Sequence, residues 1–369
     1  MARGLMLAAL MGAAPGGAAG DDQGLVQVYR GAQADWPAPH LDEGVPLRPL
    51  APLPEQPSYP KDNPDSAEKR RLGKTLFFDP RLSRSGQIAC ASCHDPDLGW
   101  ADGRRRSFGH DRHRGLVNAP TIINSGYLDE LFWDGRAASL EDQVLASWSN
   151  PIEMAADPQS AAERLGEIKG YRKLFQDAFG DAEISPDTVR RAIATFMRSV
   201  TLSRTPYDRF LAGESEAMTD AQIRGLHVFR TEGRCMNCHN GALLSDGDYH
   251  HLGTSFYAKD NFQGRYAISG KAENVGEFRT APLRGVTETG PWMHNGLIDD
   301  LDAVLVLYNN GWWQNTPLDK KIDDIPFSTL SPRIQPLHLT PEQLADLRAF
   351  LDALSGSAPA VGLPSLPGR

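Results

Sequence analysis

Apolar residues recur along much of this chain at the three- and four-residue spacing that lines one face of a helix. The clearest run is capped by Ser185, with Pro186 at the first turn. It carries Val189, Ile193, Phe196, Met197 and Val200 on one side, which predicts a long helix with a buried face. Thr219 starts a second helix with Ile223, Leu226 and Phe229, and Asp299 a third with Leu301, Val304, Leu305 and Tyr308. A fourth begins at Thr340-Pro341 and ends near Gly356. Strand-like alternation is scarce. Residues 31–64 instead hold prolines from Pro37 through Pro52, Pro54, Pro57 and Pro60 to Pro64, dense enough to predict an extended arm wrapped over the surface. At the amino end Arg3 precedes an apolar stretch, Leu5 to Ala14, and then small residues up to Gly20. That is the pattern of a secretory signal peptide. It is shorter than the roughly 20 apolar residues that span a bilayer, and no later stretch of that length is free of charge. A chain exported to the periplasm, with no transmembrane segment after cleavage near Gly20 or Asp21, is expected.

Composition refines this picture. A length of 369 residues is enough for two cores. With 35 glycines and 27 prolines, much of the chain must be loop. The expected class is therefore mainly α and loop-rich. Its divisions are residues 1–20 as signal peptide, 21–64 as Pro-rich arm, 65–205 and 206–357 as two domains, and 358–369 as tail. A formal charge of -9 argues against nucleic acid or an anionic membrane as main partner and is compatible with a redox partner bearing a basic patch.

The chemistry sits in the cysteines. Cys90-Ala91-Ser92-Cys93-His94 and Cys235-Met236-Asn237-Cys238-His239 use all four in the chain. In such a motif both thiols form thioethers with a haem and the adjacent histidine is left to ligate the iron. Two CxxC disulfides or one shared zinc centre are the competing readings, but neither calls for a histidine directly after both pairs. Two covalently bound haem c groups, one per domain, follow. No sequence repeat beyond this motif is visible.

Further segments surround the motifs. Leu72-Gly73-Lys74-Thr75-Leu76-Phe77-Phe78-Asp79-Pro80-Arg81-Leu82-Ser83, Asn118-Ala119-Pro120-Thr121 and Phe132-Trp133-Asp134-Gly135-Arg136-Ala137 flank the first. Phe278-Arg279-Thr280-Ala281-Pro282-Leu283-Arg284 and Gly290-Pro291-Trp292-Met293-His294-Asn295-Gly296 follow the second. With them the chain resembles the bacterial di-haem cytochrome c peroxidase and MauG family, from about Leu72 to Leu354. The resemblance implies two cytochrome c-like domains and reaction with hydrogen peroxide at the first haem, held by His94.

It also implies roles for individual residues. Glu153 would move a proton between the peroxide oxygens and Gln143 would orient the peroxide, being twenty and ten residues after Trp133 as in the family. Ser147 departs from the pattern, since relatives commonly carry proline there. Trp133 would couple the two haems, and Asn118, Thr289 and Pro291 would hold one calcium ion by oxygen atoms alone. His239 would be the proximal ligand of the second haem. Its distal ligand, a methionine in peroxidase relatives, falls on Tyr308, the mark of the MauG and MbnH branch. Ligation by Met293, with Tyr308 packing on its helix, is the alternative. His110 matches a histidine that blocks the first haem in resting peroxidases, although neighbouring His113 is easily confused with it.

The function so implied is oxidation, by long-range electron transfer, of an aromatic residue, first of all tryptophan, in a periplasmic protein substrate. The alternative is a cytochrome c peroxidase fed by a small cytochrome or copper protein, and a plain electron carrier is the third class. Some relatives carry a tryptophan just before the second haem motif. Here Gly233 and Arg234 stand there, leaving Trp312, Trp313 and Trp292 as candidate exits.

Overall fold

Polar caps and apolar faces determine the helices of the computed structural model, which describes residues 18–180, 183–202, 204–255, 263–312, 321–322, 325–327, 329–356 and 361–368. Of the expected leader, only Ala18–Gly20 lie within the described residues, where they open helix α1 (Ala18–Arg30). In α2 (Ala67–Phe77) the Ser66 side chain accepts the Lys69 N–H, and in α3 (Leu140–Ser149) Ser139 accepts that of Asp142. Helices α4 (Pro158–Gly166) and α5 (Lys169–Phe179) follow. Ser185 and Thr188 close a capping box on α6 (Pro186–Arg198), with Pro186 in the first turn as expected.

The second half repeats the scheme with α7 (Pro206–Leu211), α8 (Asp220–Arg230, capped by Thr219) and the single turn α9 (Tyr266–Ser269). It ends with α10 (Leu301–Asn309) and α11 (Pro341–Ala353, capped by Thr340). The cap of α10 is Asp300, one residue beyond the expected Asp299, because the Asp300 side chain is the one that accepts an N–H of the first turn. Strands are confined to two small antiparallel pairs among the described residues: β1 (Tyr249–His251) with β2 (Glu277–Arg279), and β3 (Lys321–Ile322) with β4 (Ile325–Pro326). No described helix is long and apolar enough to cross a membrane.

Buried apolar side chains form two clusters. The first draws on residues 72–202, including Leu72, Phe77, Trp100, Tyr171, Val189, Ile193 and Phe196. The second draws on residues 207–354, including Leu226, Phe229, Leu305 and Phe350, and also takes Val26, Tyr29, Trp36 and Leu50 from the amino-terminal segment. Burying each of these side chains is worth about 1.5–3 kcal/mol. The arm thus does more than cover the surface. Trp36 donates its indole N–H to the Tyr29 carbonyl (3.0 Å), and the Arg48 guanidinium donates to Asp246 O (2.6 Å). Further on, Tyr127 donates to Pro54 O (2.7 Å) and Asn63 to Glu141 Oε1 (2.7 Å). The arm therefore runs from one cluster to the other.

The two clusters share a device that the sequence did not reveal. A Cβ on Gly73 would meet the Ala192 carbonyl oxygen at 1.9 Å and the Phe196 Cβ at 2.8 Å, and one on Gly225 would meet the Asp346 oxygen at 1.9 Å and the Phe350 Cβ at 2.8 Å. In each half a glycine therefore lets two helices cross at backbone contact, α2 on α6 and α8 on α11. The repeat is structural, and its only sequence trace is Gly-x-x-x-Phe at Gly73–Phe77 and Gly225–Phe229.

Candidate active site

Both Cys-x-x-Cys-His segments form a tight turn. His94 N–H donates to Cys90 O (3.0 Å), and His239 N–H donates to Cys235 O (2.8 Å). Each imidazole then turns Nδ1 to a carbonyl, His94 to Trp100 O (3.2 Å) and His239 to Leu244 O (3.0 Å). A carbonyl only accepts, so Nδ1 carries the proton and Nε2 is the free lone pair, as an axial ligand requires. Burial pulls both histidines below their ordinary pKa, which keeps them neutral. Cys90 packs on the first apolar cluster and Cys235 on the second, so the two pairs do not converge on a shared zinc centre.

The neighbourhood of His94 also holds unmet polar demand. Trp100 Nε1, Arg106 Nε and His110 Nδ1 are buried without a partner among the described residues. A macrocycle bearing propionates supplies such partners, so the residues fit a covalent haem. Near the second motif Cys238, Asp246 and His250 converge. His250 Nε2 meets Asp246 Oδ2 at 2.9 Å, and Arg333 meets the same oxygen at 3.1 Å. Burial opposes charge on His250, but Asp246 and the Cys238 sulfur outweigh it and push the pKa up to about 10. This is an ion-paired rim beside a haem thiol, and it was missed in the sequence because its members are far apart along the chain.

Glu153 faces the first cysteine pair, for its charge is felt by both Cys90 and Cys93. Burial raises its pKa, and the Ser147 hydroxyl, Arg136 and Asn150 pull the other way. Asn150 Nδ2 donates to Glu153 Oε1 (2.6 Å) while its own Oδ1 accepts the Ile152 N–H (3.1 Å), a turn announced by the Asn150-Pro151 step. Gln143, on α3, donates to the Ser147 hydroxyl (3.0 Å). Ser147, the position that departs from the family pattern, thus takes the Gln143 amide while its hydroxyl helps hold the Glu153 pKa down. Arg136 lies 3.4 Å above the Phe132 ring, held by Asp134 at 2.9 Å.

His110 sits against this group. Its N–H donates to Glu153 O (2.7 Å), and a Cβ on Gly109 would meet the Ile152 oxygen at 2.2 Å. Its Nδ1 is buried, whereas His113 is exposed.

Trp133 occupies the seam between the haem segments. Its indole donates to Asn118 O (3.0 Å), its carbonyl accepts the Arg279 N–H (2.9 Å), and its ring centroid lies 6.5 Å from that of His294. Asn118 in turn donates its backbone N–H to His294 O (2.7 Å) and its amide nitrogen to Arg104 O (2.9 Å). Asn118 is thus tied to the segment that carries His294. His294 stacks on Phe278 at 3.5 Å, and burial pulls its pKa down to about 3.

Tyr308 lies in the last turn of α10. Burial raises the pKa of its phenol, as do the nearby Cys238 and Cys235 sulfurs, and Tyr308 packs on the same apolar cluster as Cys235. Unaided, this phenol stays protonated, and only a cation such as ferric iron would hold it as phenolate. Trp312 meets the Tyr308 ring edge to face, centroids 5.2 Å apart. Trp292 donates its indole N–H to Val286 O (2.8 Å), and Trp313 lies outside the described residues.

The family described as "Di-haem cytochrome c peroxidase" matches residues 67–216. A cytochrome c peroxidase IdrP1 of Pseudomonas sp. (strain SCT) is 36% identical, covering 90% of this chain and 92% of its own length. The methylamine utilization protein MauG of Methylophilus methylotrophus is also 36% identical, over 84% of this chain and 88% of its own. Among solved structures, a MauG-like protein associated with microbial copper homeostasis superposes with a TM-score of 0.74 at 32% identity, covering 82% of this chain and 94% of that one.

Proposed function

The chain belongs to the di-haem cytochrome c peroxidase family, and from that premise we propose that it is a periplasmic enzyme which draws two oxidising equivalents from hydrogen peroxide, shares them across both haems and oxidises a tryptophan of a partner protein. Membership alone makes it an oxidoreductase with two haem c groups that acts on hydrogen peroxide together with a redox partner or substrate.

Bound haem supplies the electrons for cleavage of the O–O bond, and the proton work belongs to the polypeptide. Glu153 takes a proton from one peroxide oxygen and returns it to the other, which leaves as water. Its facing the Cys90 and Cys93 sulfurs supports that role. Gln143 orients the peroxide through its amide, supported by its hydrogen bond to Ser147, whose hydroxyl also bears on Glu153. Trp133 couples the two haems across the seam. Asn118, Thr289 and Pro291 would hold one calcium ion; the Asn118 amide, whose nitrogen is spent on Arg104 O, keeps its oxygen for such an ion.

The observation that carries the choice of substrate is Tyr308, which packs on the same apolar cluster as Cys235 of the second haem motif. A phenolate ligand favours oxidised iron and lowers the potential, so that haem suits storage of an oxidising equivalent better than delivery of electrons from a cytochrome. In Tyr308→Met we expect the midpoint potential of the second haem to rise by on the order of 0.1 V or more, since axial ligands shift haem potentials over a range of about 0.8 V. Oxidation of the partner protein should be lost while the peroxide-reactive haem is retained. An unchanged potential would take Tyr308 off the iron.

One observation favours a second reading, a cytochrome c peroxidase gated by His110. That residue is hydrogen-bonded to the backbone of Glu153 with Nδ1 buried, where a swing could block the first iron.

A further inference from the structure

Four of the described tryptophans satisfy the indole N–H on a backbone carbonyl: Trp36 on Tyr29, Trp133 on Asn118, Trp148 on Leu82 and Trp292 on Val286. Two do not, Trp100 and Trp312, although both are buried. Each stands beside a residue assigned to an iron. Trp100 offers its carbonyl to His94, and Trp312 lays its ring on Tyr308. A buried indole used for packing alone normally finds a partner for its N–H.

Trp312 is also held by a backbone that its side chain does not favour. Its φ is 52°, in the left-handed region where bulky residues are outliers. The turn is fixed by Gly311 N–H donating to Tyr308 O (3.0 Å) and Trp312 N–H donating to Leu307 O (2.9 Å). Gly311, at φ 73°, is pressed against Pro336, whose nitrogen a Cβ would meet at 2.6 Å. A local cost is thus accepted to keep an oxidisable ring against the axial tyrosine.

We propose that Trp312 is the relay through which oxidising equivalents leave the second haem toward the partner protein. The proposal rests on the long-range oxidation set out above and names its exit. In each passage one electron moves from the Trp312 indole, by way of Tyr308, to the oxidised haem site. The indole becomes a radical cation that keeps its Nε1 proton, since no acceptor lies within hydrogen-bond distance among the described residues. An electron from the partner's aromatic residue then restores it. Two passages match one hydrogen peroxide, which takes two electrons and two protons to give two waters.

The test uses the full-length protein with both haems ferric, mixed with one equivalent of hydrogen peroxide without partner and frozen within milliseconds for electron paramagnetic resonance. Protein carrying ring-deuterated tryptophan is run in parallel, and optical spectra report the haems. We expect a radical signal that narrows on deuteration, falls at least tenfold in Trp312→Phe and is unchanged in Trp292→Phe, with resting haem spectra unaltered. Should the phenylalanine variant fail to take up haem, Trp312→Met fills the same space flexibly and serves the same comparison.

An equal radical in the Trp312 variants overturns the proposal. So does loss of the radical together with a changed resting spectrum of the second haem, which would make Trp312 a positioning residue for Tyr308. Oxidised haems with no tryptophan signal defeat the relay alone. Haems that do not react with peroxide defeat the long-range reading and the relay with it.

Discussion

Proton handling at the first site rests on one carboxyl and the side chains that bear on it. Burial raises the pKa of Glu153 while Ser147, Arg136 and Asn150 resist, so the carboxylate that can accept a proton forms only above the usual carboxylate range. Peroxide activation should therefore climb with pH through that raised value. In Ser147→Ala, which removes a donor to the carboxylate, the climb should move to higher pH. Glu153→Gln should slow activation about 10²–10⁴-fold, the usual worth of a positioned acid–base group, with both haems attached. Stopped-flow mixing with peroxide checks both, and a normal rate in Glu153→Gln would remove the residue from the chemistry. Glu153 and Gln143 were singled out only by the family resemblance, which sets them twenty and ten residues after Trp133, and Asn150 and the place of Ser147 beside them were not read at all. A hydroxyl that serves both an amide and a carboxyl leaves no pattern in one sequence, whereas the Asn-Pro turn beneath Glu153 could have been read.

Helix starts were the most legible elements, because Ser185, Thr219 and Thr340 act through neighbours three residues away. Helix crossings were not legible, because Gly73 and Gly225 matter through backbones more than a hundred residues distant. A methyl group at either place has no flexible neighbour to displace, only a carbonyl at 1.9 Å. Gly225→Ala should thus cost at least about 2 kcal/mol, within the span typical of overpacking, and Gly73→Ala a similar amount. Denaturant unfolding of the holoprotein checks this, and a loss below about 0.5 kcal/mol would mean that the helices slide apart freely. The arm was legible only through its prolines, and its first part, up to Arg30, belongs to helix α1. That Trp36 and Leu50 would enter the second core was hidden, since isolated apolar residues among prolines carry no periodicity.

At the scale of the molecule, two apolar clusters each hold one cysteine pair and one histidine with its Nδ1 already committed, and Trp133 is tied between them through Asn118, Arg279 and His294. The four cysteines and the flanking segments announced this plan in the sequence. The seam itself could not be read, since it is made of contacts between Asn118 and His294 and between Trp133 and Arg279, which no local signal connects. An enzyme so built should behave as one oxidising unit, both irons changing together although peroxide meets only one. The direct measurement is addition of one equivalent of hydrogen peroxide to the purified, fully ferric protein without reductant, following absorption and the electron paramagnetic resonance of both irons. Loss of both ferric signals at the same rate, and their return when a protein substrate is added, is the expected result. No reaction until one haem is first reduced, or loss of one signal alone, would contradict the shared state and leave a His110-gated cytochrome c peroxidase in its place.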